Sequence, residues 1–143
     1  MKDLVFLTYS FKDLRRVRRL QHALQMHGLR VWPGRLLMPG TPVWTREVND
    51  RLGEALCVIA LLSTDATLSR WVAEAVHVAH ERQIPVLPAV IDGEPGHILL
   101  VELDGEDWFD LRWSKNYMHE VRAMVEVIRQ LAASAASTIE ANS

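Results

Sequence analysis

Short apolar runs alternate with amphipathic segments along most of this chain. Four runs are rich in β-branched and aromatic residues and end at polar residues, glycine or proline, a pattern typical of buried strands. These runs cover residues 4–9, 29–32, 55–62 and 84–91. The pattern weakens after Asp92. Residues 98–103 and 108–111 are two candidates for a fifth strand.

The segments between these runs carry apolar residues at helical spacing. The first predicted helix begins near Leu14 and ends before Gly28, since glycine readily adopts the positive φ that terminates helices. Further helices are predicted over residues 43–52 and 70–82, and apolar positions over 117–131 mark a final one. The sequence from Ala132 onward is small and polar, and we expect it to fray.

Strands that alternate with helices at this spacing predict an α/β fold with right-handed crossovers. The expected architecture is a flavodoxin-like, doubly wound, five-stranded parallel sheet of order 2-1-3-4-5, with helices on both faces. We expect one domain over residues 1–131. Residues 132–143 are expected to form a flexible tail, which could link to a separate sensor domain.

Composition excludes several classes of protein. The chain has 143 residues, of which 49% are hydrophobic and 24% charged, and its net charge of −2 offers no field for nucleic acid or anionic lipid. No apolar run reaches the roughly 18–20 residues of a membrane span. The one cysteine, Cys57, lies in an apolar run, where a buried thiol is expected. A single cysteine and an N-terminus without a signal-peptide layout favour a cytoplasmic location.

Polar and aromatic residues gather where ligands bind in open α/β sheets, at the carboxyl end of the strands. The loops after the first and third strands, together with the loop 33–42, supply hydroxyl groups, aromatic rings and helix N-termini that can hold phosphate. The candidate substrate-binding residues are Tyr9, Ser10, Phe11, Trp44, Ser69 and Trp71. A dinucleotide would suit this mixture. The alternative is that the tryptophans simply fill the interior.

Common nucleotide-binding and catalytic motifs are absent from the sequence. There is no Gly-x-Gly-x-x-Gly, no P-loop and no Gly-x-Ser-x-Gly elbow. His77 and His80 have no cysteine or further histidine near them in sequence, so we expect no metal site. The arginines between 15 and 19 are typical of a solvated helix face rather than of a nucleic-acid contact. A phosphoacceptor receiver domain shares the fold, but the chain lacks the acidic pair after strand 1 and the aspartate ending strand 3.

Six segments resemble a bacterial Toll/interleukin-1 receptor (TIR) domain in order and spacing across residues 4–91, and less clearly to about 131. The segments are 5–13, 28–32, 38–44, 61–63, 69–72 and 84–88. The resemblance implies either scaffolding by TIR–TIR contact or cleavage of the nicotinamide–ribose bond of NAD, giving ADP-ribose or a cyclised product. It also implies NAD as substrate with no cofactor, homotypic assembly in which the loop after strand 2 closes over a neighbour's pocket, and a bacterial role in antiphage immune defence.

The family's catalytic glutamate lies four residues after an aromatic on the third helix, and counting from Trp71 this position is Ala75. An alanine cannot stabilise an oxocarbenium-like ribose, so we expect this chain to be inactive as an NAD glycohydrolase. Glu74 points about 100° away around a helix, and is catalytic only if the register is shifted by one. Three explanations stay open: an engineered Glu-to-Ala change, a natural pseudo-enzyme, or that shifted register. The otherwise intact helix sequence favours the first. A second departure from the family is Pro33-Gly34, where an acidic residue usually follows the aromatic.

The two functions make different demands on the structure. The enzymatic interpretation requires Trp71 and Ala75 to line a single cleft that is large enough for a dinucleotide. Burial of Ala75 far from any cavity would leave an adaptor. Its homotypic contacts would then come from the loop 33–42 and the helices 43–52 and 70–82.

Overall fold

The computed structural model describes residues 2–34, 37–95, 103 and 107–141, with side chains as far as Ser137. Within these residues five parallel strands form one sheet of order β2-β1-β3-β4-β5. The strands are β1 (Leu4–Thr8), β2 (Arg30–Trp32), β3 (Ala55–Leu62), β4 (Val86–Val90) and β5 (Phe109–Asp110). The helices are α1 (Leu14–Met26), α2 (Pro42–Gly53), α3 (Thr64–Thr67), α4 (Arg70–Glu81) and α5 (Tyr117–Ala141). The flavodoxin-like strand order predicted from the sequence is confirmed.

The central strand β3 is buried along all eight of its residues. It pairs in parallel with β1 on one side and with β4 on the other, for example through Ile59 with Leu7 and Leu87. Its apolar run is continuous because helices cover both faces of the sheet, as is usual for parallel sheets. Side chains of α2 and α4 pack on one face, and those of α1 and α5 pack on the other.

Side-chain caps fix where the helices near the carboxyl end of the sheet begin. The Thr41 hydroxyl accepts a hydrogen bond from the Trp44 amide at the start of α2. The Ser69 hydroxyl accepts one from the Val72 amide at the start of α4. Such caps satisfy backbone donors that have no partner in the first turn of a helix. At the other end of α1, Gly28 has φ +79° and donates to the Gln25 carbonyl at 2.9 Å, which ends the helix as predicted.

The structure differs from the sequence expectations in two places, and its fifth strand lies in one of the two candidate segments. A 3-10 turn at Phe11–Asp13 follows β1, and a four-residue helix, α3, follows β3. Both are too short to show a periodic pattern. The fifth strand falls within the second candidate segment, 108–111. Residues 98–102 of the first candidate lie outside the described residues.

The second difference concerns the last helix, which we expected to end near Leu131 but which continues to Ala141. Leu131 and Ala135 pack against the buried core, and alanine has the highest intrinsic helix propensity, so the helix extends beyond its strongly apolar part. The proposed role of residues 132–143 as a flexible linker stays a prediction.

The structure also bears on two expectations from composition, a buried thiol and the lack of a membrane span. Cys57 is fully buried in β3, and this burial raises the pKa of its thiol to about 12. In the described part of the chain, no helix combines the length and the apolar character that a membrane crossing requires.

Candidate functional site

Trp71, in the first turn of α4, separates two clefts. The larger, here termed the polar cleft, has a volume of about 300 Å³ and lies at the carboxyl end of the sheet. Its lining residues are Ser10, Phe11, Lys12, Asp65, Leu68, Ser69, Arg70 and Trp71. The smaller, here termed the helix groove, has a volume of about 140 Å³ and lies between α2 and α4. Its lining residues are Trp44, Thr45, Val48, Asn49, Leu52, Trp71, Glu74, Ala75 and Val78.

A buried hydrogen bond joins the two walls of the polar cleft. The Ser63 hydroxyl, at the end of β3, donates to the Asp13 carboxylate, which follows the loop after β1, at 2.5 Å. Both side chains are buried, and burial raises the pKa of Asp13, although the hydrogen bond from Ser63 opposes this rise. Across the mouth of the cleft, Lys12 and Asp65 lie 3.7 Å apart as an exposed ion pair, a type that contributes little. The buried bond therefore holds the walls together more firmly than the ion pair does.

The ring of Trp71 is in contact on several sides. Trp44 meets it edge-to-face with a centroid distance of 4.9 Å and an interplanar angle of 68°. The Arg70 guanidinium lies 4.3 Å from the ring centroid, within range of a cation–π interaction. Gly40 lies so close that a Cβ atom there would be 2.9 Å from the indole nitrogen. A base could stack on Trp71 only if Arg70 or the segment around Gly40 moved.

Trp44 and Trp71 also end a row of aromatic rings that crosses the domain. Phe6 of β1 stacks on Trp32 of β2 at 4.7 Å, and Trp32 lies 6.4 Å from Trp44. The Trp32 indole N–H donates to the Glu47 carboxylate at 2.8 Å. This row connects the β2 edge of the sheet with the start of α4, and its last two rings, Trp44 and Trp71, line the helix groove.

Ala75 faces the sheet and is 4% exposed, yet its methyl group lines the helix groove beside Trp71. Glu74 is exposed and lines the same groove. The cleft shared by Trp71 and Ala75 is thus smaller than the roughly 300–1,000 Å³ of common ligand sites. The polar cleft reaches that range, but Ala75 is not among its lining residues. The sequence analysis considered two outcomes, a single dinucleotide-sized cleft lined by both residues and burial of Ala75 far from any cavity. The structure shows neither, because Ala75 lines only the smaller of the two clefts.

The other predicted binding residues divide between the two clefts. Ser10, Phe11 and Ser69 line the polar cleft, and Trp44 lines the helix groove. Tyr9 lines neither cleft. Its side chain is 1% exposed and its hydroxyl donates to the Leu37 carbonyl, while burial raises its pKa to about 12. Tyr9 therefore anchors the loop after β2 from inside the domain.

Sequence reasoning missed the charged residues of the polar cleft. Lys12 and Asp65 each lie two residues after a capping serine, and Arg70 follows the capping residue Ser69. Their position next to these capping residues could have identified them, because the first turns of these helices start at the carboxyl end of the sheet, where the cleft lies. Charged residues in a polar loop otherwise look like ordinary solvated positions.

The described residues contain no cluster of three histidine, cysteine, aspartate or glutamate side chains that could hold a metal ion. His77 lies 3.1 Å from Glu81 on the exposed face of α4. His77 therefore lies on the surface of the helix and contacts a carboxylate of the same helix.

Comparison with known proteins gives a consistent result. A family model described as TIR domain matches residues 5–125. The crystal structure of the TIR domain of the Toll-related receptor TRR-2 from Hydra magnipapillata is similar with a TM-score of 0.72 and 16% identity, over 90% of this chain and 99% of that one. The TIR domains of the activated Roq1 resistosome, which directly recognises the pathogen effector XopQ, are similar with a TM-score of 0.63 and 17% identity, over 87% of this chain and 98% of that one. No curated protein matches the chain.

Proposed function

Because this chain belongs to the TIR domain family, we propose that it is a catalytically silent relative of the NAD-cleaving TIR domains, which binds NAD and acts by homotypic assembly. The observation that carries this proposal is Ala75. At this position the NAD-cleaving members have a glutamate, and here a methyl group faces the helix groove. Without a carboxylate, nothing at this position stabilises the positive charge that develops on ribose as nicotinamide leaves.

The chemistry of the polar cleft supports NAD as its ligand. Lys12 and Arg70 lie beside the N-termini of helical segments, so positive charge and backbone N–H groups are available for a diphosphate. Phe11 is 50% exposed and, with Trp71, offers aromatic surface for a base or for nicotinamide. Arg70 would then exchange its contact with Trp71 for a phosphate oxygen.

The size of the polar cleft supports an assembled site. A volume of about 300 Å³ is at the lower end for ligand sites and encloses only part of a dinucleotide. A neighbouring copy could supply the remaining walls, as the family resemblance implies. The TIR domains of the activated Roq1 resistosome share this fold within an assembly, which supports the same mode of action here.

Isothermal titration and a nicotinamide-release assay test the proposal. We expect the assembled protein to bind NAD without cleaving it, and Trp71→Ala to weaken binding at least tenfold. Ala75→Glu should release nicotinamide in the assembled protein. Ala73→Glu is the matched control, because Ala73 lies on the exposed side of α4 and lines neither cleft. Absence of NAD binding in the assembled protein would leave scaffolding as the function, and an inactive Ala75→Glu variant would remove the proposed catalytic ancestry.

A second candidate is an active NAD hydrolase that uses Glu74. Its support is that Glu74 lines the same groove as Trp71 and Ala75, as the register shifted by one requires. The unmodified protein would then release nicotinamide, and Glu74→Gln would abolish the release while leaving NAD binding intact. If the unmodified protein is inactive in its assembled form, Glu74 is not the catalytic carboxylate.

We place this function in the cytoplasm of a bacterial cell, in antiphage defence and coupled to a fused or separate sensor domain. The family resemblance is the support for this setting. A plaque assay tests it: a strain carrying the complete locus should resist phage, and Trp71→Ala should abolish the resistance. Equal plaque counts with and without the locus, over a broad phage panel, would contradict a role in defence.

A further inference from the structure

The helix groove combines an apolar interior with a negatively charged rim. Trp44 and Trp71 form one wall, and the side chains of Val48, Leu52 and Val78 are further apolar lining. Its volume of about 140 Å³ is close to that of an engineered apolar cavity that takes up benzene. The groove therefore has room for one aromatic ring but not for a whole dinucleotide.

Ala75 is the reason that this space exists. Ala75 is buried and is part of the groove lining. A larger side chain at position 75 should extend into the groove, because packed core atoms occupy the other directions. The neighbouring turn positions of α4 that face the sheet, Val72 and Val76, are fully buried and do not line the groove. A single small residue thus keeps the groove open.

One carboxylate and two neutral polar side chains lie at the rim of the groove. Glu74 is exposed at the opening, together with the hydroxyl of Thr45 and the side-chain amide of Asn49. In the described part of the chain, no cation lies within ion-pair distance of the Glu74 carboxylate. An ammonium group at the rim could pair with this carboxylate and lie against the electron-rich faces of the tryptophans.

We propose that the helix groove is a binding site for a small arylalkyl amine, whose ring lies between α2 and α4 and whose ammonium group pairs with Glu74. The apolar walls contribute affinity by burying the ring, and the carboxylate provides discrimination against neutral and anionic analogues. This site shares Trp71, Glu74 and Ala75 with the function proposed above, but it needs no dinucleotide in the polar cleft, so amine binding and NAD binding can fail separately.

Three probes of matched shape test the proposal with the full chain. 2-Phenylethylamine is the cation, 2-phenylethanol the neutral analogue and phenylacetate the anion. Binding is followed by two-dimensional NMR through the indole N–H signals of Trp44 and Trp71. We expect the amine to bind with a dissociation constant of about 1 mM or tighter, a realistic value for a nine-atom ligand. The alcohol should bind several-fold more weakly, and the anion should not bind detectably.

Variants on the two sides of the groove separate its apolar and charged parts. Ala75→Leu should fill the groove and weaken amine binding at least tenfold, whereas Ala73→Leu, on the exposed side of α4, should leave it unchanged. Glu74→Gln should remove the preference for the amine over the alcohol without affecting the alcohol. Should Ala75→Leu fail to fold, Val48→Phe fills the groove from α2 and should have the same effect on binding.

Specific results would overturn the proposal. One is that the amine produces no saturable shift of either indole signal. Another is that it binds equally well to the parent and to a folded, groove-filling variant. A third is that the anion binds as tightly as the amine.

Discussion

Replacement of Gly40 by alanine should destabilise the domain more than its backbone strain alone explains. Gly40 has φ +86°, and a Cβ atom there would lie 2.9 Å from both Nε1 and Cζ2 of Trp71. An alanine at such a φ costs about 1 kcal/mol. Because Trp71 is held by Trp44 and Arg70, its ring cannot move aside freely, and the overlap should add about 1–2 kcal/mol.

The matched control is Gly28→Ala. Gly28 has a similar φ of +79°, but no atom lies within 4 Å of a Cβ built there. This variant should therefore cost only the strain of about 1 kcal/mol, whereas Gly40→Ala should cost about 2–3 kcal/mol. Urea unfolding followed by far-UV circular dichroism measures both values.

A double-mutant cycle with Trp71→Ala isolates the contact. In the Trp71→Ala background, the cost of Gly40→Ala should fall to that of Gly28→Ala, because the ring that the new methyl group would meet is gone. Equal costs of Gly40→Ala and Gly28→Ala in the parent protein would refute the close contact between the loop after β2 and Trp71.

Three further predictions concern charge and packing. Burial raises the pKa of Asp13, so the folded state binds the proton of the Asp13 carboxyl group more tightly than the unfolded state does, and the associated stability is lost as the pH rises through the folded pKa. Asp13→Asn should therefore gain stability relative to the parent from about pH 4 upward in urea unfolding. A difference in stability that does not depend on pH would contradict this prediction. The Arg112 guanidinium donates to both carboxylate oxygens of Asp110 at 2.9 Å and lowers the pKa of Asp110, a contribution that is lost as the pH falls through that lowered pKa. Arg112→Gln should return this pKa toward about 3.9 in a carbon-detected NMR titration, and an unchanged value would be inconsistent with the pairing. Trp32→Phe should cost about 2 kcal/mol in urea unfolding, because it leaves a void and removes the donor to Glu47. Glu47→Gln keeps an acceptor for the Trp32 indole N–H and should cost less. A larger cost for Glu47→Gln than for Trp32→Phe would be evidence against this assignment.

The central strands of the sheet could be predicted from sequence because their apolar runs are continuous, whereas the short fifth strand had two candidate segments. The run that forms β3 is apolar over Ala55–Leu62, as is typical of a strand that is covered on both faces. Gly28 marked the end of α1 for an equally direct reason, its positive φ. The four residues of α3 carry no such pattern, since one turn of helix is specified by its cap at Ser63 rather than by periodicity.

The site was only partly predictable, because side-chain direction depends on tertiary packing. Spacing from Trp71 identified position 75, but not that its methyl group would face a groove separate from the polar cleft. Tyr9 follows β1 at the ligand-binding edge, and sequence alone gives no sign that its ring turns inward to reach Leu37. Aromatic residues at such an edge are equally suited to anchoring a loop and to binding a ligand.

The isolation of Cys57 within β3 has a practical consequence for every experiment above. Thiol reagents attack the thiolate, and a fully buried group with a pKa of about 12 supplies almost none at neutral pH. The folded chain is therefore a ready-made background for site-directed labelling: a cysteine introduced at an exposed position such as Ala73 can carry a fluorophore or spin label while the native thiol is left in place.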